Sequence, residues 1–188
     1  DCWYSAGLTD AISNAFKGDD LDCLCVNVFD PERNKYLGNR PTDRRRVGLS
    51  NIFSLPISVG IFVKSDFILQ HGIMFDEEYG IGASYGSGEE TEFLYRMVIA
   101  GARIRYFGDL LVYHPAIDSH EKIDLLKTKN YATGFGRLNK RFLLDGNFSH
   151  LPYFIVHFLK SVLGVVIRPR STKVYLARLS GILDGLRS

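Results

Sequence analysis

Apolar positions recur along this chain with two different spacings. Leu8, Ala11, Ile12, Ala15 and Phe16 fall on one helical face, which predicts a helix over 8–16 ended by Lys17 and Gly18. Residues 21–29, Leu-Asp-Cys-Leu-Cys-Val-Asn-Val-Phe, read as a strand stopped by Asp30 and Pro31. The stretch 32–49 is polar and rich in Arg, Asn and Gly, and predicts a long loop. A buried strand is expected over 57–63, then a short helix from Lys64, Ser65 and Asp66 through Gln70. Met74 to Ser87 is rich in small residues near its end and predicts a mobile, concave loop. A helix over 91–100 and strands at 104–107 and 110–113 complete an α/β alternation.

Beyond His114 and Pro115 the pattern becomes helical. Residues 121–144 predict a helix broken at Gly134-Phe135-Gly136. Residues 151–167 are strongly apolar, with His157 and Lys160 as the polar interruptions, and are short for a membrane span. From Ser171 onward Val174, Leu176, Leu179, Ile182, Leu183 and Leu186 return at near-helical spacing. Over 160–187 the basic residues Lys160, Arg168, Arg170, Lys173, Arg178 and Arg187 face a single acid, Asp184. Two readings are open: helices lying on an anionic membrane surface, or a helical hairpin packed on the preceding domain or on another subunit.

The chain has 188 residues, 46% hydrophobic and 23% charged, enough for one folded domain and an appendage. A formal net charge of +2 makes no case for nucleic acid. Cys2, Cys23 and Cys25 are odd in number and contain no CxxC pair, which predicts reduced thiols in a cytoplasmic protein. With no initiator Met and no signal-peptide pattern, the sequence is expected to be a fragment with further protein upstream.

The densest chemistry is at Gly86-Ser87-Gly88-Glu89-Glu90, where a glycine loop delivers two adjacent carboxylates to a helix start. Locally they read either as capping acids, favoured by the unpaired N–H groups and the macrodipole, or as a general base. Their neighbours bear on that choice. A strand and helix (Gly60-Ile61-Phe62-Val63-Lys64 with Phe67-Ile68) come first, then Gly72-Ile73-Met74-Phe75-Asp76-Glu77 with Tyr79, Gly80 and Gly82. Next stand Gly88-Glu89-Glu90 with Arg96 and Gly101, and last a strand closing in Tyr113-His114-Pro115. In this order and spacing the four pieces resemble the C-terminal half of the catalytic domain of family 2 glycosyltransferases, the inverting GT-A type.

That resemblance implies a partial GT-A, Rossmann-like domain over 1–117, the acceptor-side half with a mixed sheet, and a helical C-terminal extension over 118–188. It implies transfer of a sugar from a nucleotide-diphosphate donor to a hydroxyl of a saccharide or lipid-linked acceptor, with inversion. Glu90 matches the base, where the family usually has Asp, and Glu89 stands beside it. His114 matches a residue near the diphosphate or metal, and reads equally as a strand-end histidine bonded to backbone. Asp1 matches the last Asp of a motif that binds Mg²⁺ or Mn²⁺. One terminal Asp and one His do not hold such an ion firmly, so the isolated fragment is expected to be inactive and the longer parent to be the enzyme. Trp3, Asp76, Gly86, Ser87, Gly88 and Arg96 are candidate substrate contacts. Each has a plainer reading: core aromatic, turn cap, flexible loop or exposed helical residue. Arg44-Arg45-Arg46 reads as a solvated charge run or a phosphate contact. A glycoside hydrolase is a poor alternative, because its two carboxylates must flank the bond and adjacent Glu89 and Glu90 do not. A non-catalytic module that binds acceptor or docks on a membrane is the remaining alternative. The expected location is the cytoplasm, at the inner face of the membrane.

Overall fold

The computed structural model describes residues 2–115 and 123–188. It is a mixed α/β structure with one six-stranded mixed sheet and six α-helices among these residues. The chain divides into two compact units, one of Asp1–Met74 with Phe93–Ser119, the other of Phe75–Glu92 with His120–Ser188. The loop 75–92 therefore groups with the C-terminal helices, although in sequence it lies among the strands of the first unit.

The first unit is built around β2 (Cys23–Asp30), which is buried along nearly its whole length. It pairs in parallel with β6 (Ile104–Tyr113) and antiparallel with β5 (Ile61–Val63) and β3 (Lys35–Tyr36). The far side of β6 carries two short antiparallel strands, β4 (Arg44–Arg46) and β1 (Trp3–Tyr4). A strand covered on both sides needs near-continuous apolar sequence, which Cys23, Leu24, Cys25, Val26 and Val28 provide. Helix α1 (Leu8–Gly18) buries Leu8 and Ile12 in a core with Leu21, Leu24, Val26, Phe107 and Val112. Helix α2 (Ser65–His71) ends at Gly72 in the left-handed region.

Three expectations are corrected here. The two strands at 104–107 and 110–113 are one strand, β6, whose register against β2 slips between Val26 and Asn27. The polar loop 32–49 contains β3 and β4, so Arg44-Arg45-Arg46 is a strand, although an exposed one. Charged side chains suit such an edge because they discourage pairing with another chain. The buried strand over 57–63 is a 3-10 turn at Ser58–Gly60 followed by the three-residue β5.

The second unit holds α4 (Leu125–Leu144), α5 (Leu151–Ile167) and α6 (Thr172–Arg187). Asp124 caps α4, its carboxylate accepting from the backbone N–H groups of Leu126 at 2.8 Å and Lys127 at 3.1 Å. The predicted break at Gly134-Phe135-Gly136 is absent, and α4 runs through it unbroken. Those glycines serve packing. A Cβ at Gly136 would stand 2.3 Å from the Ile182 carbonyl oxygen, and one at Gly185 would stand 2.1 Å from that of Thr133. The backbones of α4 and α6 thus approach more closely than any side chain at those points allows. Cys23 and Cys25 are buried free thiols and Cys2 is an exposed one. Burial, with Cys25 beside it, pushes the Cys23 thiol well up.

Candidate functional site

Helix α3 (Glu89–Ile99) opens with three acids in its first turn, Glu89, Glu90 and Glu92. They are not equivalent. Glu92 is fully buried, and Arg141 of α4 donates to its Oε1 at 2.7 Å. The same guanidinium lies 3.9 Å from Asp76 Oδ2. Burial of a carboxylate is costly unless it is paired and hydrogen-bonded, so Glu92 is committed to structure. Glu89 and Glu90 are half-buried in the same turn, and the Glu89 carboxyl lies over Gly80.

The glycine loop before them is held against α4. Ser87 donates to the Tyr131 carbonyl at 2.9 Å. A Cβ at Gly134 would stand 2.1 Å from the Ser87 carbonyl oxygen, so the loop sits directly on the helix backbone at that point. Gly86 abuts Asn130, and Gly88, at φ +99°, abuts Leu138. A residue other than glycine at 88 meets both backbone strain and a side-chain clash.

Upstream, Asp76 organises its own turn by accepting from the Glu78 N–H at 3.0 Å. Tyr79 and Tyr85 close a small loop: Tyr85 N–H donates to the Glu78 carbonyl, Gly80 N–H to that of Tyr85, and the two rings lie 5.1 Å apart. Arg137, four residues before Arg141 on α4, sits 5.4 Å from the centre of the Tyr85 ring. Burial raises the Tyr79 pKa against the opposing pull of both arginines. Between loop and helix is a cavity of about 400 Å³ lined by Gly82, Ala83, Gly86, Lys127, Asn130 and Tyr131. It is within the size range of small-ligand sites and offers an amine, an amide, a phenol and backbone groups.

Asp76, Gly86, Ser87, Gly88, Glu89 and Glu90 therefore belong to one unit. Trp3, Arg96 and His114 belong to the other. Arg96 Nη2 donates to the Met74 carbonyl, tying α3 to the end of the preceding segment. Trp3 heads a row of rings across four neighbouring strands, Trp3, Tyr113, Phe29 and Tyr36, at centroid spacings of 5.8, 6.4 and 5.1 Å. The rings are tilted or edge-on to one another rather than coplanar, so they form no flat stacking platform. His114 Nδ1 lies 2.7 Å from the Pro115 carbonyl oxygen, an acceptor, so Nδ1 is the donor in that hydrogen bond.

Asp1 lies outside the described residues. Among the described residues no three His, Cys, Asp or Glu side chains converge as ligands for a metal ion. His114 alone is not a Mg²⁺ or Mn²⁺ site, which takes several oxygen donors. The sequence reading gave no site role to Glu92, Arg137 or Arg141. The four-residue spacing of the two arginines was the available signal, but their partners lie about fifty residues away in the chain. No protein-family model matches this chain, and no curated protein matches it.

Proposed function

We propose that this chain carries the acceptor side of an inverting, nucleotide-sugar-dependent glycosyltransferase of the GT-A type. The observation that supports it best is the placement of two carboxylates. The Gly86–Gly88 loop, fixed on α4, brings half-buried Glu89 and Glu90 to the start of α3, where the resemblance puts the base. In this reading Glu90 accepts the proton of an acceptor hydroxyl as its oxygen attacks the anomeric carbon of the donor sugar, and the nucleoside diphosphate leaves. Glu89 holds a neighbouring hydroxyl. The cavity beside Lys127, Asn130 and Tyr131 takes part of a saccharide or lipid-linked acceptor. A divalent ion belongs to the resemblance, and in the longer protein residues outside this chain would supply most of its ligands. A cytoplasmic location at the inner face of the membrane goes with this reading.

The test is Glu90→Gln in the longest natural protein containing this sequence. Turnover should fall by on the order of 10²–10⁴, with donor binding retained. Turnover near that of the unaltered protein would remove Glu90 as the base. It would leave the alternative of a non-catalytic module that binds acceptor or docks on a membrane.

A further inference from the structure

The two C-terminal helices have different surroundings. Helix α6 is held on α4 by close backbone approach at Gly136, Gly181 and Gly185, with Ile182 fully buried. Helix α5 turns only one side inward. Ser161 and Gly164 are buried, the Gly164 backbone lies against the Tyr175 ring, and Arg178 approaches His157 Nδ1 at 3.1 Å. Its other side is a continuous aliphatic stripe in water: Ile155, Val156, Leu159, Leu163, Val166 and Ile167 are each 48–78% exposed. The spacing is that of a single helical face, and a contiguous apolar surface of this kind marks an interaction site.

The surrounding charge specifies the partner. Lys160 flanks the stripe, and Arg168, Arg170 and Lys173 crowd the bend where α5 gives way to α6, all exposed. The one acid in residues 151–188, Asp184, is paired with Lys129 of α4 at 2.9 Å. The exposed face is thus aliphatic in its middle and basic at its end. Two copies packed antiparallel along α5 would bring Lys160 near its counterpart, and packed in parallel would bring all four cations together, with no acid in residues 151–167 to offset them. An anionic bilayer offers hydrocarbon for the stripe and lipid phosphates for the rim.

The helix geometry sets the mode of contact. With 17 residues α5 is roughly 25 Å long, short of the ~30 Å hydrocarbon core. No single helix among the described residues is long and apolar enough to cross a membrane, and the segment from Pro169 to Arg187 leaves α5 at a bend of 113°. Because α6 is committed to α4, it cannot extend α5 into a span. We infer that α5 is an in-plane membrane anchor, its Ile155–Ile167 face entering the interface of an anionic bilayer while Lys160, Arg168, Arg170 and Lys173 hold lipid phosphates. The anchor holds whether or not the chain is a transferase.

Co-sedimentation of the full chain with vesicles of 70:30 phosphatidylcholine:phosphatidylglycerol, against pure phosphatidylcholine, tests it. Binding should favour the anionic vesicles and weaken as salt rises. Leu159→Asp with Leu163→Asp should lower partitioning at least tenfold. Arg168→Gln, Arg170→Gln and Lys173→Gln together should lower it on the order of 100-fold on anionic vesicles, and change little on neutral ones. These positions are exposed, so circular dichroism should be unchanged. Absence of binding to anionic vesicles at low salt overturns the proposal, as does binding indifferent to both sets of substitutions. A dimer in solution that Leu159→Asp with Leu163→Asp converts to monomer, without vesicle binding, assigns the face to a second copy instead.

Discussion

Arg141 Nη1 donates to Glu92 Oε1 at 2.7 Å, with the Glu92 side chain fully buried and that of Arg141 one-third exposed. This pair binds the start of α3 to α4 across 49 residues of sequence. Removing one partner of such a pair takes from the other charge its closest compensation, at a cost of about 3–5 kcal/mol in fully buried cases. The partial exposure of Arg141 moves the expectation just below that range. Arg141→Met should therefore lower stability by about 2–3 kcal/mol, read from the urea midpoint of the full chain. Arg141→Met with Glu92→Gln should cost less than the two single changes added, because the double variant buries no charge.

The glycines of α4 give a second expectation with an internal control. Gly134→Ala places a methyl 2.1 Å from the backbone carbonyl of Ser87, which cannot rotate away. Overpacking of this kind costs about 1–3 kcal/mol, and the strain falls on the loop that presents Glu89 and Glu90. Gly18, the last residue of α1, has open space around its Cβ position and no positive φ. Gly18→Ala should be neutral to stabilising by up to about 1 kcal/mol, by restricting the unfolded chain. If both substitutions destabilise equally, the close approach at Gly134 is not what limits that position.

Much of the fold was legible where one physical signal acted alone. Helix α1 begins at the residue predicted, and β2 begins two residues later and ends one later, because period and breakers agreed there. The failures come from tertiary context. Gly134-Phe135-Gly136 carries the composition of a break, yet packing against Ser87 and Ile182 selects glycine inside a continuous helix. Arg44-Arg45-Arg46 has no apolar alternation, and only its pairing with β6 makes it a strand. At the candidate site, the glycine loop and its acids were visible as a motif. The pairing of Glu92 with Arg141 was not, since Arg141 lies 49 residues away in the chain.

A third expectation concerns pH. Burial lowers the pKa of both His150 and His157, and Arg178 and Lys160 lower that of His157 further. Both rings are therefore favoured as neutral in the folded protein. Between their folded pKa values and the unfolded value of about 6.5, the unfolded chain binds more protons, so stability rises with pH. It should be complete above about pH 6.5 and decline as the pH falls toward the folded values. Urea midpoints at pH 7.5 and 5.5 check the direction. His157→Gln, which keeps an acceptor for Arg178, should flatten the decline without abolishing it, because His150 remains.

The last expectation separates the three acids by what each loses. Glu92→Gln should lower stability, because Arg141 then faces a neutral amide in a buried setting. Glu90→Gln keeps the shape of a half-buried side chain and should shift the urea midpoint less than Glu92→Gln does, while turnover falls by on the order of 10²–10⁴. Glu89→Gln should raise KM for acceptor more than it lowers kcat, because a neighbouring hydrogen bond is formed in ground state and transition state alike. The pattern is diagnostic only as a set. If Glu89→Gln and Glu90→Gln exchange effects, the base is Glu89, and Gly80, over which its carboxyl lies, becomes the wall of the reacting site. If neither lowers kcat while Glu92→Gln lowers stability, all three acids serve to start α3 and attach it to α4, and the loop is a scaffold.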